Sequence, residues 1–307
     1  MSRKPLKNVS ASIRQRLLNL ARERGEAAEW TYRTYGRERL LYRLMNSEHA
    51  DRFVLKGATL FSIWSTDLYR STRDVDLLGR MPNDVAALEN IFREVCNIEV
   101  EDDGLQFDTD SVKAARIIED GEYEGVRTAL RATLGEAQLF LQVDIGFGDA
   151  VVPDPEIAEL PPLLDDLPPV RMRAYPKAAV IAEKFHILVS MGMVNSRMKD
   201  FYDLYTIARR CEFDGEQLCD SIRATFGTRR TPVPDSPPVA LSQEFADNDA
   251  QWKAFLNRQG LQDDNLTLTE VIDALISFLM PPAQAVAQGN KFRAEWNPGG
   301  PWLDQGE

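Results

Sequence analysis

Residues 55–78, LKGATLFSIWSTDLYRSTRDVDLL, constrain the fold more than any other stretch of the chain. The pattern predicts a turn at Gly57, a helix with one apolar face, a polar loop, and a strand that carries Asp74 and Asp76. Alternate side chains of a strand share a face, so the two aspartates are expected to lie side by side. Two adjacent carboxylates repel each other unless a cation or a proton neutralises them.

The chemistry of this stretch suits a metal ion and a phosphate. Carboxylates on a rigid strand suit Mg²⁺, which proteins usually hold with one or two acids plus substrate phosphates. A glycine turn that opens a helix offers free N–H groups to a phosphate. Taken singly, such aspartates are more often solvated and such a glycine is more often only a turn residue. The ordered set, however, resembles nucleotidyltransferases of the DNA polymerase β type. This resemblance implies an α+β fold with a mixed sheet, N-terminal helices and a helical C-terminal domain.

Length, charge and cysteine use limit the classes of protein. A chain of 307 residues can hold two domains. The net charge of −12 argues against a broad nucleic-acid-coating surface but allows a local basic groove. No apolar run is predicted to span a membrane. Cys96, Cys211 and Cys219 lack paired or metal-ligand spacing, which predicts reduced thiols in a cytoplasmic protein. The two histidines, His49 and His186, are expected to be structural.

Periodicity predicts helices over residues 8–24, 26–47 and 84–96, although Gly36 weakens the second of these. Four strands are expected between residues 98 and 147, beginning with residues 98–100.

The proline-rich segment 153–169 cannot form a regular helix, and we place the domain boundary there. The predicted domains are a nucleotidyltransferase domain with its N-terminal helices, residues 1–160, and a helical domain, residues 161–307. A final helix is predicted over residues 268–279, and residues 288–307 are expected to be draped on the surface or partly mobile.

One further acid stands out in an apolar strand. Residues 139–147, LFLQVDIGF, are interrupted only by Asp144. A buried lone aspartate is costly unless it is paired or binds metal. In the polymerase β type of fold a third carboxylate comes from a neighbouring strand, which Asp144 would supply. The alternative is a hydrogen-bonded core or edge aspartate.

Further charged residues follow on two predicted helices. Lys184 lies among apolar neighbours, where it either extends its amine to solvent or serves as a fixed charge for a triphosphate. Asp200 and Asp203, three residues apart, share a helix face. Such acids are solvated by default, but the neighbouring Arg197 and Lys199 favour a polar site.

Five segments carry a closer resemblance: LKGATL at 55–60, RSTRDVDLL at 70–78, VDIGFGD at 143–149, PKAAVIAEK at 176–184 and NSRMKDFYDL at 195–204. Together they resemble the AbiEii/AbiGii toxin family, which includes the MenT nucleotidyltransferases, over roughly residues 13–210. The resemblance implies the toxin half of a type IV toxin–antitoxin or abortive-infection pair, with a cognate antitoxin encoded alongside. Such toxins use Mg²⁺ and a nucleoside triphosphate (NTP) to transfer a nucleotide to an RNA acceptor, in characterised cases tRNA, and so stop translation.

The resemblance also implies roles for single residues. Asp74 and Asp76 would hold metal, with Asp144 as the third ligand of the fold class. Lys184 would contact the triphosphate. Asp200 would act as catalytic acid or base, or would orient Lys184.

At the turn, Gly57, Ala58 and Thr59 would cradle phosphate. The wider superfamily prefers Gly-Ser there, so the missing hydroxyl would come from Thr59 or from Thr72 near the aspartates.

A basic cluster is predicted to bind the RNA, and its members are Arg171, Arg173, Lys177, Arg197 and Lys199. Two other classes remain open at this stage, a small-molecule nucleotidyltransferase and a non-catalytic scaffold that binds a nucleotide or a partner. The clustered cations favour a polyanionic acceptor over the first. The crowded acids argue against the second, since a binding module gains nothing from them.

Overall fold

The computed structural model describes residues 8–64, 74–119, 123–261 and 266–304. These residues group into two compact units. The first unit comprises the described residues up to Gly148 together with Glu156–Ala174. The second unit comprises Asp149–Pro155 and the described residues from Tyr175 onward. The division into domains 1–160 and 161–307 stays a prediction.

The first unit is built on one sheet. Among the described residues it contains four α-helices, α1 (Val9–Glu23), α2 (Ala28–Met45), α3 (Leu60–Trp64) and α4 (Val85–Cys96), and seven strands, β1 (Phe53–Lys56), β2 (Val75–Gly79), β3 (Leu105–Glu119), β4 (Tyr123–Leu134), β5 (Ala137–Phe147), β6 (Glu156–Leu160) and β7 (Val170–Ala174). Residues 98–100, predicted to be a strand, instead connect α4 to β3, since so short an apolar run does not define an element by itself.

The strand order is β3-β4-β5-β2-β1-β7-β6. β2 runs parallel to β5, and β1 runs parallel to β7, while the other neighbouring pairs are antiparallel. This mixed sheet, with the helices before it and the helical region after it, confirms the predicted α+β fold class. The topology places β2, which follows Asp74 and carries Asp76, directly beside β5, which carries Asp144.

Helix α2 is unbroken, although Gly36 weakened its prediction. A Cβ at this position would lie 3.1 Å from side-chain atoms of both Leu139 and Leu141 on β5. The glycine therefore lets the helix approach the sheet closely, and burial of the helix offsets its poor helix propensity.

The second unit is mainly helical. It contains, among the described residues, α5 (Lys177–Met191), α6 (Met198–Arg210), α7 (Gly215–Thr228), α8 (Gln243–Ala246), α9 (Asp249–Gln259) and α10 (Leu268–Gln288), with the short strands β8 (Phe213–Asp214), β9 (Ala294–Trp296) and β10 (Trp302–Asp304).

The C-terminal segment is docked rather than loosely draped. Its strands β9 and β10 join β8 in a small sheet. Trp296 donates its indole N–H to the Ala208 carbonyl at 2.7 Å, and Trp302 donates to the Phe278 carbonyl at 2.9 Å. Each indole thus has both apolar contacts and a partner for its one donor.

Helix α10 extends beyond its predicted end at residue 279 and runs through Pro281 and Pro282. Prolines normally end or kink a helix because they lack the N–H group, which made the prediction too short. Among the helices of the described residues, α10 alone has the length and the apolar composition that could cross a membrane. Half of its most apolar window is buried inside the protein, as in a core helix.

Candidate active site

The sheet of the first unit brings four charged residues into one row. Strand register places Arg127 opposite Asp144, Asp144 opposite Asp76, and Asp76 opposite Lys56. Directly opposed residues of neighbouring strands present their side chains on the same face. These four residues are here called the charged row. Across β4, β5, β2 and β1 they place two acids side by side, with a cation on either side. Asp74, at the bend just before β2, adds a third acid whose charge acts on Arg127.

Arg127 and Asp144 form a two-pronged ion pair. Nε of Arg127 donates to Oδ1 of Asp144 at 2.8 Å, and Nη2 donates to Oδ2 at 2.7 Å. Asp144 is buried, whereas 42% of the Arg127 side chain is exposed. These hydrogen bonds, and the negative charges of Asp144, Asp74 and Asp76, raise the pKa of Arg127 against the opposing effect of partial burial. Sequence analysis missed Arg127, because only strand register shows that it faces an acid.

The Gly57 turn passes directly over the row. Gly57 has a φ of +73°, and a Cβ there would lie 1.9 Å from Oδ2 of Asp76. No other residue type fits this position, since a side chain would be both strained and in collision. Ala58 is buried and Thr59 is half-buried in the same turn. Thr72, the other candidate hydroxyl, lies outside the described residues.

The acids of the row fit a magnesium site. Asp76 and Asp144 occupy paired positions on neighbouring strands, and Asp74 lies at the bend just before β2. They offer the hard oxygen ligands that Mg²⁺ requires, next to a turn with no room for a side chain. Their assignment as metal ligands, and that of Gly57, Ala58 and Thr59 to phosphate, stays a prediction.

A second group with ligand-type side chains lies elsewhere in the first unit. Atoms of Glu48, His49 and Glu94 approach within 4.8 Å of one another. His49 is buried, and its Nε2 lies 2.7 Å from Oε2 of Glu94, which is an ordinary hydrogen-bond distance. This contact ties the segment before β1 to α4, and it agrees with a structural role for the histidine.

The second unit holds its own group of charges, here called the helical ion cluster and formed by Lys184, Arg197, Asp200 and Asp203. Nζ of Lys184 lies 2.5 Å from Oδ1 of Asp200 and 2.8 Å from Oδ2 of Asp203. Nε of Arg197 lies 2.9 Å from Oδ2 of Asp200. Asp200 and Asp203 are buried, and Lys184 is the nearly buried cation between them. The sequence placed Asp203 on the same helix face as Asp200 but gave it no role. The structure shows that it is a second carboxylate for Lys184.

Asp200 is held in its ionised form. Burial alone would raise the pKa of this carboxyl group, but the charges of Lys184, Arg197 and Lys199 outweigh burial and hold the pKa below its usual range. A carboxylate so firmly ionised is a weak proton acceptor. The contacts of Asp200 with Lys184 and Arg197 suit the second of the two roles considered for it, the orientation of Lys184, and that role stays a prediction.

The predicted RNA-binding cations fall in both units: Arg171 and Arg173 on β7, Lys177 at the start of α5, and Arg197 and Lys199 at the start of α6. Arg171 is exposed and donates to Glu159 across the β6–β7 pair at 2.8 Å. Arg197 belongs to the helical ion cluster. That the five cations line one groove stays a prediction.

Comparison with known proteins identifies the family. The family model described as "Nucleotidyl transferase AbiEii toxin, Type IV TA system" matches residues 39–285, a span that contains every site residue named above. It runs past residue 210, where the resemblance seen in the sequence ended. None of the curated proteins matches the chain.

Two solved structures from Helicobacter pylori are also similar. One is JHP933, with 13% identity and a TM-score of 0.47, covering 86% of this chain and 94% of that one. The other is described as a "putative nucleotidyltransferase", with 14% identity and a TM-score of 0.41, covering 82% and 91%. The match to the family model extends over most of the chain and agrees with the resemblance carried by its motifs. The chain therefore belongs to the AbiEii family of nucleotidyltransferase toxins of type IV toxin–antitoxin systems.

Proposed function

We propose that this toxin is a Mg²⁺-dependent enzyme of the cytoplasm that transfers a nucleotide from an NTP to an RNA acceptor, tRNA, and thereby blocks translation. A cognate antitoxin would restrain it. The observation that carries the proposal is the charged row, where Asp76 and Asp144 share one face of the sheet beneath a glycine turn, with Asp74 at the bend just before β2. Acids gathered in this way, beside a turn that cannot hold a side chain, suit a site for a metal and a phosphate.

In this proposal Asp74, Asp76 and Asp144 hold the metal ion. When bound, Mg²⁺ neutralises charge on the phosphate oxygens and orients the attacking and leaving groups. The hydroxyl oxygen of the acceptor forms a bond to the α-phosphorus as the bond to pyrophosphate breaks, and the hydroxyl proton passes to solvent water. Gly57, with no side chain, lets its turn pack directly against the Asp76 carboxylate, and the backbone N–H groups of the turn bind the triphosphate next to the metal ligands.

For the second unit we propose that Lys184 provides the charge that offsets the leaving pyrophosphate. Asp200 and Asp203 fix its amine from two sides and so reduce the reorganisation needed during the reaction. Asp200 acts here as a positioning residue. Its two oxygens are engaged by Lys184 and by Arg197.

A labelling experiment tests the proposal. Purified protein is incubated with each α-labelled NTP, Mg²⁺ and total tRNA, and the products are resolved on a denaturing gel. Label is expected in tRNA, and it should disappear when EDTA replaces Mg²⁺ or when Asp76→Asn replaces the wild type. Label in a small-molecule acceptor instead of RNA would favour the small-molecule class, and no labelled product with any NTP would contradict the proposal.

A further inference from the structure

The ion pair between Arg127 and Asp144 uses the same carboxylate that the proposed function gives to the metal. Both oxygens of Asp144 accept a hydrogen bond from the guanidinium group. Such a fork is among the strongest arrangements available to a carboxylate. The charged row therefore carries its own compensating cation at Asp144.

A metal ion that binds Asp144 has to compete with this guanidinium group. Both bind through the oxygens of this one carboxylate, and their positive charges repel each other at short distance. Asp144 is buried and lies on a central strand, so it cannot move away easily. Arg127 has a long, partly exposed side chain, so it is the partner that can leave. Once displaced, the guanidinium group would lie near any triphosphate bound at the row, and its planar fork fits phosphate as well as it fits carboxylate.

We propose that Arg127 is an exchangeable counter-cation of the site. It holds Asp144 in the absence of nucleotide, weakens the binding of a divalent metal alone, and transfers to the phosphates when a metal–NTP complex enters. The site is then loaded by the metal and the nucleotide together rather than by the metal first. This inference rests on the proposed function and adds an order of binding to it.

The chain offers a matched control for the test. Arg131 lies four residues further along β4, so it projects from the same face, and it is exposed opposite Phe140. At about 3.4 Å per residue it stands roughly 14 Å from Arg127 along the strand. Arg131→Gln removes the same charge from the same strand without touching Asp144.

The experiment measures Mn²⁺ binding to the full-length chain by calorimetry without nucleotide, and then the KM for NTP in the transfer reaction. Arg127→Gln should tighten Mn²⁺ binding about tenfold, because a unit charge next to the ligand is removed. The same variant should raise the KM for NTP about tenfold, because a charged contact to phosphate is lost. Arg131→Gln should leave both values within about twofold of the wild type. A purely structural role for Arg127 would not move the two values in opposite directions.

Two further variants sharpen the test. Arg127→Lys keeps the charge but loses the fork, and it should tighten Mn²⁺ binding by only about twofold to threefold. It also serves in place of Arg127→Gln if that variant fails to fold in a thermal melt. In an Asp144→Asn background, Arg127→Gln should tighten Mn²⁺ binding no further, since the ligand it shields is absent.

Unchanged or weaker Mn²⁺ binding in the folded Arg127 variants would overturn the inference, while transfer by the wild type would leave the proposed function standing. A wild type that neither binds Mn²⁺ with any NTP nor transfers a nucleotide would overturn both.

Discussion

The two units of this protein hold their charges in different ways. In the first unit, Asp74, Asp76 and the Arg127 side chain are partly exposed, so their charges can be solvated or can change partners. In the second unit, Asp200 and Asp203 are buried, and the nearly buried Lys184 lies between them. Buried charges need their partners, because an unpaired charge away from water is costly. The charged row is therefore suited to ligands that come and go, and the helical ion cluster is suited to one fixed charge.

Removal of Lys184 gives the largest expected effect. Lys184→Ala leaves Asp200 and Asp203 buried with less compensation, so the free energy of unfolding should fall by about 3–5 kcal/mol, as for other broken buried pairs. Nucleotide transfer and growth arrest on expression should also be lost. Urea unfolding, transfer per folded molecule and growth curves at matched expression measure this.

Lys253→Ala serves as the control. This residue forms an exposed ion pair of the same unit, and its removal should change the free energy of unfolding by less than about 0.5 kcal/mol. Equal growth arrest by wild type and Lys184→Ala would mean that toxicity is not nucleotidyl transfer.

The corresponding change in the first unit should separate activity from stability. Asp76→Asn removes one of several neighbouring negative charges, so the melting temperature should stay the same or rise slightly. Transfer should fall by a factor on the order of a thousand, because a proposed metal ligand is lost. Thermal melts and single-turnover assays decide this, with Asp74→Asn as a parallel variant. Retained transfer in folded protein would exclude these acids from the reaction, and a large loss of stability would contradict the contrast between the units.

Acid should weaken the second unit through His186. Burial, together with the charge of Arg229, lowers the pKa of His186 to about 4. In the unfolded chain a histidine titrates near about 6.5, so unfolding takes up a proton between the two values. The stability from neutral His186 is thus complete above about pH 6.5 and is lost as the pH falls towards about 4, by roughly 3 kcal/mol.

Urea unfolding between neutral and mildly acidic pH measures this loss. His186→Gln keeps groups that can contact Arg229 and Thr231 and should flatten the pH dependence in that window. An equally steep dependence in His186→Gln would assign the effect to other groups.

The smallest effect is expected at two cations of β7, the exposed Arg171 and the partly exposed Arg173. Reversing charge in the double variant Arg171→Glu, Arg173→Glu should weaken tRNA binding several-fold and lower its salt slope by about 2, since each lost phosphate contact releases one counterion fewer. Nucleotide binding should stay the same. Fluorescence titrations across a salt series test this, and an unchanged slope would place the RNA elsewhere.

Much of the candidate site could be predicted from local sequence. The order of glycine turn, helix and paired aspartates identifies the fold class, because positive φ and strand alternation are properties of a few neighbouring residues. Asp144 stood out for the same reason, as one acid in an apolar strand. The i, i+3 spacing of Asp200 and Asp203 placed them on one helix face. The family then followed from five such segments, and the match to the family model confirms it.

Other features required the tertiary structure. Gly36, judged a weak point of its helix, is where that helix packs against the sheet. The strand β7 after the proline-rich segment, and the helix that continues through Pro281, could not be foreseen, because their stability comes from neighbours distant in sequence.

By itself, the sequence singled out most of the side chains that are proposed to carry the chemistry, since residue type and short-range spacing decide what a turn, strand or helix can present. The tertiary structure alone decided how those side chains are paired. It set Arg127 against Asp144 through the register of β4 and β5, and it set Lys184 between Asp200 and Asp203 through the packing of helices α5 and α6. The physical reason is that register and helix packing are fixed by the burial of apolar surface across the whole unit, which no short stretch of sequence encodes.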